Sequence, residues 1–155
     1  MNKQVLIDKL IALAENNLEE AEQALQAAHA AAIDDQSVAE NQYDTLGLEA
    51  SYLALGQSKR IAELKSKVQG LKAFSPAHFK EDDEIGAGAI VQLDGTPTLY
   101  FLCPFSGGET LSAGNKTIIA ISPQSPLGEE LLELGVGDTV QLPNRQQSFE
   151  IIALE

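Results

Sequence analysis

An α+β fold is predicted: an antiparallel helical hairpin of coiled-coil type over residues 1–74, a linker over 75–85, and a small antiparallel β domain with one short helix over 86–155. Two observations carry this. Apolar residues recur at alternating four- and three-residue steps through the first half, the spacing of a helix that buries one narrow seam. Composition then changes after Phe74: residues 1–73 contain only Gly47, Gly56 and Gly70 and no proline, whereas the remainder holds the other glycines and every proline, set between short apolar runs.

The first helix starts near Asn2, an acceptable cap. Its seam reads Ile7, Ile11, Ala14, Leu18, Ala21, Leu25, Ala28, Ala32. The second arm reads Tyr43, Leu46, Ala50, Ala54, Gln57, Ile61, Leu64, Val68, Leu71, with one doubled four-residue step near its start. Alanines on the first arm permit a close approach of the helix axes. Arms of roughly 35 residues would be about 50 Å long at 1.5 Å per residue. Gly47 and Gly56 each cost a helix about 1 kcal/mol relative to Ala, which makes the second arm locally soft.

Asp34-Asp35-Gln36-Ser37-Val38-Ala39-Glu40 reads as the turn between the arms. Ser37 and Glu40 have capping-box spacing for the second helix, and Asp34 and Asp35 precede that cap, where a helix N-terminus favours carboxylates. With Asp44 they form a dense negative point that nothing local neutralises, because no Lys or Arg occurs from Leu10 to Ser58. Asp34, Asp35, Glu40 and Asp44 are therefore the candidate functional acids, suited to a basic protein groove or a metal-bearing site. Tyr43 and Tyr52, two of three tyrosines, flank this point; either Tyr43 widens the seam and Tyr52 packs on its flank, or with Asp44 they form a partner-contact face. Past Gln57 the charge inverts, with Lys59, Arg60, Lys65, Lys67 and Lys72 in one helical stretch. These can pair across the hairpin with Glu15, Glu19, Glu20 and Glu22, or, for Lys59 and Arg60, contact an RNA 3′ segment or an acidic protein rim.

The second half contains strand patterns at Ala89–Leu93, Thr98–Cys103, Thr117–Ile121, Thr139–Leu142 and Ser148–Leu154. Ser106-Gly107-Gly108-Glu109 lacks the Lys and Ser/Thr of a phosphate-binding loop. Ser125 is the predicted cap of a short helix with Pro126 at its first position, ended by Gly135.

The formal net charge of −13 argues against binding to duplex nucleic acid, which needs a cationic surface. Cys103, the only cysteine, sits in an apolar run and is expected to be a buried thiol; no intrachain disulfide is possible. His29 and His78 are far apart in the chain and read as ordinary side chains. No segment reads as a secretion signal or membrane span, so a cytoplasmic protein is expected.

Residues 86–155 resemble the C-terminal domain of the Gre family of bacterial transcript cleavage factors. The likeness is best over Ile121-Ser122-Pro123-Gln124-Ser125-Pro126-Leu127-Gly128, then Leu131-Leu132, Gly137-Asp138-Thr139-Val140 and Phe149-Glu150-Ile151. A helical hairpin with an acidic tip joined to such a domain is similar to the whole Gre architecture. The resemblance implies an FKBP-like C-terminal domain that docks at the rim of the secondary channel of RNA polymerase, with Ser122, Pro123, Ser125 and Pro126 as candidate contacts. It further implies a hairpin inserted into that channel, and tip acids, here Asp35 and Glu40, that share the polymerase's own Mg²⁺ so that backtracked RNA is hydrolysed. No cofactor of its own, a monomer and no complete active site in the chain are expected on that likeness. The family's Asp and Glu, separated by two residues and with Asn following the Glu, can be matched with Asp35 and Glu40-Asn41, where Val38-Ala39 looks inserted, or near Glu40 and Tyr43 when counted back from Arg60; both registers stay open. Two other readings stand beside it: a prolyl isomerase or peptide-binding module with a coiled-coil dimerisation arm, and a plain coiled-coil spacer.

Overall fold

In the computed structural model residues 1–38 and 45–155 are described; residues 39–44, and the side chains at 32, 34–38 and 45–47, lie outside that description. Two long helices come first, α1 (Lys3–Val38) and α2 (Thr45–Ala73). Six strands and a short helix follow: β1 (Ile90–Leu93), β2 (Thr98–Leu102), β3 (Thr110–Ala113), β4 (Lys116–Ile121), α3 (Pro126–Leu131), β5 (Thr139–Gln141) and β6 (Ser148–Leu154).

The chain divides into two units, Ile11–Lys72 and Met1–Leu10 with Ala73–Glu155. The first residues of α1 therefore group with the sheet, a division the linear reading of 1–74 and 86–155 did not contain. In the hairpin unit the expected seam is the buried one: Ala14, Ala21 and Ala28 are buried on α1 and Ala54, Ile61, Val68 and Leu71 on α2. Ile11, Leu18, Leu25, Ala50, Gln57 and Leu64 are half-buried between them.

The turn expected at Asp34–Glu40 starts later. α1 runs on through Asp34, Asp35 and Ser37 to Val38, and α2 begins at Thr45, so Ser37 is not the cap of the second helix. Two features explain the continuation: no Gly or Pro interrupts Ile33–Val38, and position 35 extends the alternation of Ala28 and Ala32 by the next three-residue step.

The sheet has the order β3-β4-β2-β1-β6-β5. It is mixed rather than antiparallel, because β4 returns beside β2 in parallel, Thr98 to Leu102 pairing with Thr117 to Ile121. β3 was not read from the sequence: its Thr-Leu-Ser-Ala run is short and weakly β-forming. The two-residue Gly114-Asn115 connection to β4, with Gly114 at positive φ, was the available signal. The expected linker also ends sooner, since Ile85 is buried and exchanges backbone hydrogen bonds with Glu133 and Leu134.

Both faces of the sheet are covered. Val91, Leu93, Tyr100, Leu102, Ile121, Val140, Phe149 and Ile151 form a cluster with Leu127 and Leu131 of α3. The alternate residues Leu99, Phe101, Ile118 and Ala120 are buried too, as are Leu6, Ile7 and Leu10 of the same unit, and Lys9 donates to the Ser112 carbonyl of β3. Cys103 is buried, as expected. Lys3 is 4% exposed; its ammonium donates to the Ala77 carbonyl at 2.7 Å and lies 4.9 Å over the Phe79 ring, contacts that partly replace lost water.

Gly128 fixes how α3 seats. A Cβ there would lie 2.0 Å from the Ser122 carbonyl oxygen and 2.9 Å from Pro123 Cα, both backbone atoms that cannot swing away. Gly128→Ala is expected to lower unfolding stability by about 2–3 kcal/mol, read from the urea midpoint. Burial also lowers the Lys3 pKa from 10.5. In the alkaline range below 10.5 the unfolded chain then holds more protons than the folded one, so stability rises with pH through this group. Wild type should gain on Lys3→Met as pH is raised toward 10.5, measured by urea unfolding at a series of pH values.

Candidate functional site

The two units present different candidate surfaces. On the hairpin, the acids sort by position. Glu15 accepts from Lys72 at 2.7 Å, and Glu22 lies 3.8 Å from Lys65, so the pairing expected across the hairpin is present for these two. Both pairs are about half-exposed, and such pairs contribute roughly 0–1 kcal/mol.

Asp34 and Asp35 lie at the other end of α1, within its final residues, and the last turn carries no basic residue. This reverses the electrostatic reading made from the sequence. The C-terminal end of a helix carries partial negative charge, so carboxylates there are disfavoured by about 0.3–1 kcal/mol. The helix dipole thus gives no reason for these acids. Glu40, Asp44 and Tyr43 lie outside the described residues. Among the described residues no group of three or more His, Cys, Asp or Glu could hold a metal ion. The donor chemistry of Asp35 and Glu40 suits Mg²⁺, a hard cation that commonly takes one or two carboxylates and fills its shell with water and phosphate oxygens.

Tyr52 is 67% exposed, so it does not pack on the seam. Lys59 and Arg60 are exposed as well.

In the sheet unit, Ser122, Pro123, Ser125 and Pro126 form the start of α3. Ser125 is the N-cap, accepting from Gly128 N at 3.1 Å while its hydroxyl donates to the Ser122 carbonyl at 2.7 Å. Pro126 holds the first turn, and Pro123 is buried. The Ser122 hydroxyl donates to Gln124 Oε1 at 2.5 Å. Each of these residues has a structural task, and only Pro126 and part of Ser125 face a recess.

That recess is a groove of about 350 Å³ between α3 and the sheet, floored by Tyr100, Ile119, Ile121 and Leu142 and edged by Pro143 and Arg145. The turn Leu142-Pro143-Asn144-Arg145 sets Arg145: Asn144 takes φ 64°, Arg145 N donates to the Leu142 carbonyl at 3.1 Å, and the guanidinium stands 5.7 Å over the Phe149 ring. Burial raises the pKa of the Tyr100 phenol above 10.0, and the nearby Arg145 charge partly offsets this. The groove thus pairs an apolar floor with a phenol that remains a donor and one fixed cation. Sequence reading assigned Tyr100 to the core and did not single out Arg145, because the two lie far apart in the chain and meet only through the β2-β1-β6-β5 order of the sheet and the turn after β5. Asn144 beside a proline was the one local hint.

No family model matches the chain, and no curated protein is significantly similar to it. Among solved structures it is similar to GreA factor homolog 1 (Gfh1) of Thermus thermophilus, at 19% identity over 94% of each chain with a TM-score of 0.37. A second Gfh1 structure gives 22% identity over 93% of this chain and 92% of that one, TM-score 0.37. Gfh1 of Thermus aquaticus gives 23% over 92% of each, TM-score 0.34.

The difference between the ultraviolet phenolate titrations of wild type and Tyr100→Phe should rise above pH 10.0. A difference curve centred at or below 10.0 would show Tyr100 to be solvated and the groove floor to be wet.

Proposed function

We propose that this chain is a Gre-like transcription factor that enters the secondary channel of a bacterial RNA polymerase with its hairpin and modulates elongation. The tip acids, Asp34, Asp35, Glu40 and Asp44, are directed at the polymerase's catalytic Mg²⁺, and the α3 surface docks at the rim. One observation carries the reading: Asp34 and Asp35 sit where their own helix disfavours them and where no cation of its last turn compensates. Charge that its own helix disfavours is suited to a cation supplied from outside the chain. The likeness of Ile121–Gly128 and of the hairpin-plus-sheet order to the Gre family supports the same partner.

Mg²⁺ at such a centre polarises phosphate oxygens and activates water. This chain's part is to bring carboxylates to that ion on a narrow support, and the catalytic machinery stays with the polymerase. Stimulated cleavage of backtracked RNA is one output of that arrangement, and the RNA 3′ end then lies beside the tip. The groove at Tyr100 and Arg145 favours a second reading, a peptide-binding or prolyl-isomerase module. Turnover of a short prolyl peptide that is lost in Tyr100→Ala would select it.

The test uses core polymerase and backtracked elongation complexes. Wild type should bind, compete with a known channel factor and change the RNA length distribution. The combined Asp34→Ala, Asp35→Ala, Glu40→Ala variant should bind within about threefold of wild type and lose the RNA effect, and Asp34→Ala with Asp35→Ala alone should be no less stable, since those two charges are ones the α1 terminus disfavours. A wild-type chain that neither competes nor alters RNA length overturns the proposal.

A further inference from the structure

Among the described residues of α2 every exposed large apolar side chain falls between Leu48 and Leu55: Leu48 is 56% exposed, Tyr52 67%, Leu53 57% and Leu55 69%. From Gly56 to Ala73 none is exposed. Leu48, Tyr52 and Leu55 are spaced by four and three residues and so share one stripe, which Lys59 continues at the next four-residue step. The buried seam of α2 runs through Ala50, Ala54, Gln57 and Ile61, each two positions further on. Two positions correspond to about 200° of helix rotation, so the stripe lies opposite the seam. α2 is thus apolar on two sides over this length, and its own hairpin covers only one of them.

We infer that this outer stripe is the surface that holds the hairpin against the wall of its partner, and that the wall offers an apolar strip with cationic groups beside it. The inference rests on the polymerase reading above and names the contact by which the hairpin is gripped, as distinct from the acids at its end. Charge complementarity selects this occupant. Glu49 flanks the stripe, and with no Lys or Arg from Leu10 to Ser58 the surrounding surface is acidic, so the opposing wall is basic there. Lys59 and Arg60, at the other end of the stripe, call for an acidic patch, and this order of signs fixes the direction in which the hairpin seats.

A second copy of the chain fits less well. The stripe alone is narrow, three large side chains on each copy, whereas stable specific interfaces bury roughly 1,200 Å² or more. Each copy would also bring a net charge of −13. A concave wall wraps more of the helix than a second rod can.

The test titrates core polymerase with labelled full-length chain. The combined Leu48→Ser, Tyr52→Ser, Leu55→Ser variant should bind at least about tenfold more weakly, with unchanged far-ultraviolet circular dichroism. Leu13→Ser, an exposed apolar residue on α1, should stay within about twofold. A photo-crosslinking side chain placed at position 52 of the otherwise native chain should label polymerase, which tests the contact without removing the stripe. Equal binding by the triple variant together with no label from position 52 overturns the stripe while leaving the polymerase reading intact. Failure of the wild-type chain to bind overturns both. A wild-type dimer that the triple variant abolishes assigns the stripe to self-association and also overturns the inference.

Discussion

The width of the hairpin is set by three alanines one heptad apart. Within the hairpin unit Ala14, Ala21 and Ala28 are the buried members of the α1 seam among the described side chains, while Ile11, Leu18 and Leu25, which alternate with them, are only half-buried. Interaxial distance follows the side chains at the contact, about 8–10 Å in general, and small residues at a contact permit the closer values. A narrow rod is needed wherever a carboxylate must reach a confined centre. The same small residues limit the stability of the hairpin, since alanine buries little apolar area.

Charge is distributed along that rod in a way stability does not require. Half-exposed pairs such as Lys72 with Glu15 and Lys65 with Glu22 add little to folding. They do pair acids at the Glu15–Glu22 end of α1 with cations of α2. α1 continues through Asp34 and Asp35 instead of stopping before them, which places two negative charges on the negative pole of a 36-residue helix. A fold optimised only for itself would carry Lys or Arg there.

Much of this was legible in the sequence, but unevenly. The seam was, at its described positions, because four-three periodicity sustained over several heptads is the mark of a helix that buries one narrow stripe. The end of α1 was not: Ser37 and Glu40 form a plausible capping box, and capping chemistry shows where a helix can begin without showing that the preceding one has ended. Ser122 to Gly128 was legible as a motif, yet its residues are joined mainly to one another, Ser125 capping α3 and Gly128 admitting the Ser122 carbonyl. The groove beside it was not legible. Tyr100, Ile121, Leu142 and Arg145 come from separate segments and meet only through the sheet order, with β4 parallel to β2 on one side and β1, β6 and β5 on the other, which no local pattern announces.

The acidity of the chain and the apolar stripe on α2 belong to one arrangement. An exposed run of Leu48, Tyr52 and Leu55 on a weakly charged protein would invite self-association. At a net charge of −13, two chains repel before their stripes meet, and salt weakens that protection as the Debye length shrinks. A partner whose surface supplies cations meets no such barrier and is attracted at long range. On the proposed reading acidity acts as a filter, favouring basic surfaces over copies of the chain itself. Specificity on this view is set at a distance by charge and completed at contact by three side chains, so the acids nearest the stripe govern association while the stripe governs residence.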